Sequence, residues 1–300
     1  MALSEKESFL IAKRHVDDRA LNRRVWNRLE GALDAMDPPV RVVEIGAGVG
    51  SMILRFAEWL DQSGPVQYRA IDLDPTVVET ARRILPEWLA ESGYRVSIEG
   101  DRIDARRRSD QSSGIDQLTI RLESGDGFDL DDTADLVVGA ALMDIVEPHQ
   151  ALTAMRDLLR DGGVLYLPLT FDGVTGFIPP VDGDRHIARL YHRHMDEIRS
   201  TPGGSHAGRE LLHDIPANDL EILTAGGSDW VIHPRESGYE RGEHAVLDHL
   251  LDTIDNALSD YPPETRSPAT VAEWMGARRN HLEDGALGLV VHHIDVLAVR

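Results

Sequence analysis

Two hydrophobic periods alternate along this chain. Val40 to Ile45 and Ala134 to Leu142 are apolar runs that predict buried strands, and Gln67 to Asp72, Leu118 to Leu122 and Val164 to Leu169 predict three more strands. Between them, Met52 to Trp59, the stretch from Pro75 through Val77, Val78, Ala81, Ile84 and Leu85, and His149 to Arg160 repeat their apolar positions at helical spacing. Strand and helix in alternation mean right-handed crossovers and a parallel sheet, an α/β fold. Ahead of them, Phe9, Leu10, Val16, Leu21, Val25, Trp26, Leu29 and Leu33 predict a pair of helices or one broken helix, closed by Pro38-Pro39. His15, Asp18 and Arg19 on this segment are candidates to close over a ligand, against the plainer reading of a solvated helix face.

The alternation weakens twice. Tyr94, Val96 and Ile98 alternate up to the turn Glu99-Gly100-Asp101, and Arg106 to Gly114 is polar, which predicts a solvent-exposed hairpin-like excursion. After Asp161-Gly162-Gly163, a helix stop, and the fifth strand, Pro179-Pro180 leads into a helix through Ile187, Leu190, Met195 and Ile198. A further helix begins near Ser205 or His206. Glu221 to Thr224 reads as a strand with Asp229 to Ile232 as an irregular continuation, Ala245 to Leu258 and Ala269 to His281 as helices, and Leu287 to Val299 as a central strand. The division expected is an N-terminal helical segment (1–39), an α/β core (40–172), a substrate-cover insertion (173–217), and C-terminal strands (218–300) completing the sheet with inserted helices at 240–283.

Composition narrows the chemistry. The 300 residues are 42% hydrophobic, enough for a substantial core, and no apolar run approaches the roughly 20 residues of a membrane span, so a soluble, cytoplasmic protein is expected. The absence of cysteine excludes disulfides, thiolate catalysis and cysteine-ligated metal. A net charge of −21 makes nucleic acid an unfavourable partner, because its binding draws on cationic contacts, and fits a surface adapted to salt. Lys6 and Lys13 are the only lysines among 31 basic residues.

Glu44-Ile45-Gly46-Ala47-Gly48-Val49-Gly50 joins the first strand to a helix through a turn without Cβ atoms at Gly46, Gly48 and Gly50, where a ligand can lie on bare backbone beside a helix N-terminus. Dinucleotides and S-adenosylmethionine both use such turns. The dinucleotide fingerprint requires a glycine where Ser51 stands.

From about residue 40 to 172 the chain resembles the class I S-adenosylmethionine-dependent methyltransferases. Glu44 to Gly50 looks like the family's first motif, Ala70-Ile71-Asp72-Leu73-Asp74 its second, Gly125-Asp126-Gly127-Phe128 its third and Asp135 to Leu142 its fourth. Leu159-Arg160-Asp161-Gly162-Gly163-Val164-Leu165 is similar to its approach to the fifth strand. The resemblance implies a doubly wound, Rossmann-like sheet of about seven strands with the last antiparallel, and S-adenosylmethionine as cofactor. It implies the methionine part on Glu44, Gly46, Gly48 and Gly50, ribose on Asp72 beside Leu73 (or on Asp74 if the strand ends later), and adenine near Asp126, Gly127 and Phe128, with Ala141 also bordering the cofactor. A small-molecule acceptor and a possible homodimer are the partners expected. The alternatives are a cofactor-binding sensor or scaffold without catalysis, and an NAD-dependent oxidoreductase.

Methyl transfer from a sulfonium mostly requires alignment, with a base only where the acceptor loses a proton. Asp144, which interrupts an apolar run, is the first candidate; as alternatives it caps the next helix or pairs with an arginine. His194 is the second, with Tyr191 three residues before it on one helix face. His149, Phe171, Arg185 and Tyr191 are candidates to bind substrate. His192 and His194, two apart on a helix, point to different faces, so no metal is expected. Trp230 and Trp274 read as core, and His292 and His293 fall on opposite faces of the last strand.

Overall fold

In a computed structural model, residues 3–62, 64–108 and 114–300 are described. Helices α1 (Glu5–Ala20) and α2 (Arg23–Leu33) precede β1 (Val40–Ile45), α3 (Ser51–Trp59), β2 (Pro65–Asp72), α4 (Pro75–Glu91), β3 (Tyr94–Glu99), β4 (Arg102–Arg107), β5 (Gln117–Ser124) and β6 (Ala134–Val138). Then follow α5 (Pro148–Leu158), β7 (Leu159–Ile178), α6 (Asp184–Glu197), α7 (Ala207–Ala217), β8 (Glu221–Gly227), β9 (Trp230–Ile232), α8 (Glu243–Ser259), α9 (Pro263–Arg266), α10 (Pro268–Glu283) and β10 (Gly288–Val299).

All ten strands form one sheet in the order β3-β4-β5-β2-β1-β6-β7-β10-β8, with β9 beside β10. The pairs β5-β2, β2-β1, β1-β6 and β6-β7 are parallel, and β10 runs antiparallel to β7 and β8. The strand order reverses at β1, so the crevice beyond the carboxyl ends of β1 and β6 is where a doubly wound sheet binds ligands. The fold is therefore the expected α/β one, its last strand antiparallel, with β3, β4 and β9 added to seven.

Three local expectations differ. The hairpin β3-β4 is no excursion: β4 pairs with β5 from Arg102 opposite Arg121 to Arg106 opposite Gln117, burying Tyr94, Ile103 and Ala105. Residues 109–113 of its polar loop lie outside the described residues. Helix α5 stops at Leu158, before Gly162-Gly163, because Leu159 already pairs with Ala134 and the amide of Gly162 donates to the carbonyl of Arg300 at 3.0 Å. Strand β7 also runs on through residues 173–178, held by β10 up to Ile178 opposite Gly288, so the covering layer begins only at α6.

α1 lies across the crevice. Its first turn is a capping box in which Ser4 Oγ accepts from the Glu7 amide at 3.2 Å and Glu7 accepts from the Ser4 amide at 2.6 Å. Lys6 to Asp74 (2.8 Å) and Thr80 to Glu7 fasten it to α4 and the loop before it.

Candidate active site

The glycine turn is held from two sides. The amides of Gly46 and Ala47 donate to the carbonyl of Ile71 at 2.8 and 3.0 Å, and the amide of Gly48 donates to Asp72 Oδ2 at 2.8 Å. Asp72 Oδ1 accepts from the Asp74 amide at 3.0 Å, so one carboxylate fixes both the turn and the loop after β2. Gly46 has φ +74°, and a Cβ there would stand 3.1 Å from Leu142 Cδ1. Gly127 packs on Ile45, where a Cβ would come within 2.7 Å.

Around this turn lies a cavity of about 560 Å³. Of the residues expected to hold the cofactor, Glu44, Gly46, Gly48, Asp72, Leu73, Asp126, Gly127, Phe128 and Ala141 line it. Leu73, 74% exposed, gives it an apolar lip. Asp126 also accepts from the Phe128 amide at 2.9 Å, capping the turn Gly127–Asp129. Gly50 does not line the cavity. It is the left-handed N-cap of α3, its amide bonded to the Ala47 carbonyl at 3.0 Å.

Glu44 is 1% exposed and accepts from the Tyr68 hydroxyl at 2.9 Å. Burial pushes its carboxyl up to about 8, against the opposing pull of that hydrogen bond and of Arg55. The cavity therefore holds a carboxyl that is mostly protonated at neutral pH.

A second cavity of about 250 Å³ shares Phe9, Lys13 and Ala141 with the first. Phe9, Phe171, Tyr191 and Trp230 give it aromatic walls, and Asp144, Lys13, His249 and His293 are its titratable groups. Asp144 serves neither of its alternative roles. Glu147 caps α5, accepting from Gln150 at 2.6 Å, and Arg199 donates to the carbonyl oxygen of Asp144, not to its carboxylate. Burial raises the Asp144 carboxyl, with Arg199 and Lys13 pulling it back. Tyr191 is pushed up to about 12, first by burial and then by Asp144.

The other candidates are dispersed. His194 lines neither cavity; its Nε2 is 2.8 Å from Asp260 Oδ2, because α6 turns that side toward the end of α8. His149 is exposed in the first turn of α5 and lines neither cavity. Arg185 lines a third cavity, of about 200 Å³, which meets the second at Thr175 and Tyr191. His192 bonds Thr175 Oγ1 at 3.2 Å, away from His194, and among the described residues no group of His, Asp and Glu is arranged to hold a metal.

Several lining residues escaped the sequence reading. Phe9 and Lys13, four apart on α1, reach both cavities, whereas His15 does not. The signal was the lysine pair itself, Lys6 and Lys13, seven residues apart on one helix face of an otherwise arginine-based chain, and both line the larger cavity. Lys13 Nζ bonds Asp17 at 2.7 Å and stands 5.3 Å over the Trp230 ring, whose indole N–H donates to Asp17 at 2.9 Å. Trp230 is thus buried and a wall at once.

The comparisons with known proteins follow this geometry. No family model matches the chain. A segment is 29% identical over 144 residues to a non-reducing polyketide synthase, atr1, of Stereocaulon alpinum, covering 46% of this chain and 4% of that protein; the chain spans only that small fraction of its curated relative. Solved structures similar to it include a putative methyltransferase of Bacillus halodurans C-125 (12% identical, 91% and 97% of the two chains, TM-score 0.49). A SAM-dependent methyltransferase of Thiobacillus denitrificans with S-adenosyl-L-homocysteine bound is 15% identical over 94% and 93%, TM-score 0.45. The [4+2]-cyclase SpnF is 17% identical over 91% and 80%, TM-score 0.41. Among the described residues no helix is long and apolar enough to cross a membrane.

Proposed function

We propose that this chain is an S-adenosylmethionine-dependent methyltransferase acting on a small molecule. The observation that carries the reading is the pair of joined cavities: one built on a glycine turn with the motif residues around it, the other opening from it at Ala141, Phe9 and Lys13. The first fits the cofactor. Its turn offers backbone without Cβ atoms, Asp72 has carboxylate lone pairs for ribose hydroxyls beyond the two amides it holds, and Leu73 and Phe128 supply apolar surface for a base. Glu44 is the buried carboxyl available to the methionine part.

When bound, the cofactor supplies an electrophilic methyl group. The chain's own residues do the remainder: Ala141, Phe9 and Lys13 form the throat between donor and acceptor, the aromatic walls exclude water, and Asp144 takes the acceptor's proton. A raised carboxyl is the stronger base once ionised, which suits Asp144 to that task.

Calorimetric titration with S-adenosylhomocysteine, NADH as control, tests the reading, followed by a screen for S-adenosylhomocysteine production with small acceptors. Binding of NADH alone overturns it, and tight S-adenosylhomocysteine binding without turnover on any acceptor favours a sensor.

A further inference from the structure

Resting on the methyltransferase reading, we propose that the second cavity takes a neutral aromatic molecule carrying two hydroxyl groups, one methylated and one bound by His293. The cavity's unpartnered groups define this class. His293 is 6% exposed and lines the cavity; its Nδ1 is sealed from it, and Nε2, to which no hydrogen bond forms among the described residues, is the nitrogen left to face it. The ring stands 5.1 Å from Trp230 and 6.0 Å from Phe171, centroid to centroid, so neither neighbour offers it a strong donor. Burial and Lys13 keep it neutral, holding it down to about 4. A nitrogen of a neutral imidazole either donates or accepts according to the tautomer, and a hydroxyl is the neutral partner that serves both. The second opening for a donor is the Asp144 carboxylate, which Arg199 leaves unpaired.

Charge excludes the competitors. A cationic amine would enter beside the Lys13 ammonium, which already occupies the Trp230 face. A carboxylate would face Asp144 and a ring that does not protonate until pH falls near 4. Four aromatic walls select a flat apolar body, and about 250 Å³ lies below the roughly 300–1,000 Å³ of drug-sized sites, which limits that body to one or two fused rings.

In the group transfer, the acceptor's O–H bond breaks and its proton passes to Asp144. The oxygen lone pair forms the new O–C bond while the S–C bond of the sulfonium donor breaks, its electrons remaining on sulfur as a thioether.

The test is a fluorescence titration of the full chain, loaded with S-adenosylhomocysteine, with 2,7-dihydroxynaphthalene, 2-naphthol, 2-naphthoate and 2-naphthylmethylamine. The diol should bind about tenfold tighter than 2-naphthol, the worth of one buried hydrogen bond. His293→Phe should erase that advantage without weakening S-adenosylhomocysteine. Leu250→Trp, on another wall, should block all four probes and spare S-adenosylhomocysteine, which keeps the test sound if His293→Phe misfolds. Tighter binding of the amine or the carboxylate, an undiminished diol advantage in His293→Phe, or unhindered probes in Leu250→Trp overturns the acceptor class. Failure of S-adenosylhomocysteine itself to bind overturns the methyltransferase reading beneath it.

Discussion

On the methyltransferase reading, Glu44 should make cofactor binding a proton-linked event. Its carboxyl is raised from an ordinary 4.5 to about 8 by burial, yet it lines the cavity into which a cationic ligand must fit. A cation beside it favours the ionised form, so binding expels the proton. With the carboxyl raised to about 8, its ionised fraction grows about tenfold for each pH unit below that value. Affinity for S-adenosylmethionine should therefore rise about tenfold between pH 6 and pH 7 and level off as pH passes 8. Calorimetry at pH 6, 6.5 and 7, in two buffers with different ionisation heats, reads both the slope and the released proton. Glu44→Gln should bind with neither. A flat affinity with buffer-independent heat, or a slope surviving in Glu44→Gln, refutes the linkage. The same shift has a stability sign: the native state keeps a proton that the unfolded chain has lost above 4.5, so this contribution is complete below that value and disappears as pH rises through about 8.

Asp72→Ala frees the Gly48 and Asp74 amides and should weaken S-adenosylmethionine by about 1–3 kcal/mol, read by the same titration; unchanged affinity places the ribose elsewhere. Asp144→Asn should lower kcat by about 10²–10⁴ while leaving cofactor affinity alone, and a wild-type kcat would remove it as the base. Gly203→Ala should lower both Tm and kcat, because Gly203 has φ +93° and its Cβ would run into the Asp144 backbone; the left-handed geometry alone costs about 1–2 kcal/mol, and an unaltered melt contradicts that packing.

The parallel core was legible because β1 and β6 are almost wholly buried apolar runs, while β2 and β5 alternate buried and polar positions between recognisable turns. β3 and β4 were read as exposed because arginine, serine and glutamate interleave their apolar residues, the pattern of any half-buried strand; that β4 adds to β5 is a pairing across the sheet edge that no local period encodes. The end of α5 was misplaced for a related reason. Gly162-Gly163 is a helix-stop signal, but β6 captures the backbone already at Leu159, and the carbonyl of Arg300 holds Gly162.

The two cavities differ in the same physical way. Most residues of the larger one follow strand ends in order along residues 44–142, so motif spacing reaches them, whereas the α1 residues and Thr201 come from outside that run. The smaller one collects Phe9 and Lys13 from α1, Asp144 from the loop after β6, Phe171 from β7, Tyr191 from α6, Trp230 from β9, His249 from α8 and His293 from β10. Its shape depends on long-range registers: β10 shifts against β7 between Val291 and His293 and again between Ile294 and Val296. Asp295, at the second of those shifts, is buried and accepts the amides of Leu169 and Asn22 at 2.8 Å each. It thereby ties the middle of β7, where Leu169 has φ +60°, to the start of α2. Buried carboxylates persist where several donors satisfy them, and here those donors are the backbone behind the acceptor wall. On the methyltransferase reading, specificity would consequently follow from where β10 bulges, and cofactor binding from one turn and two strand ends.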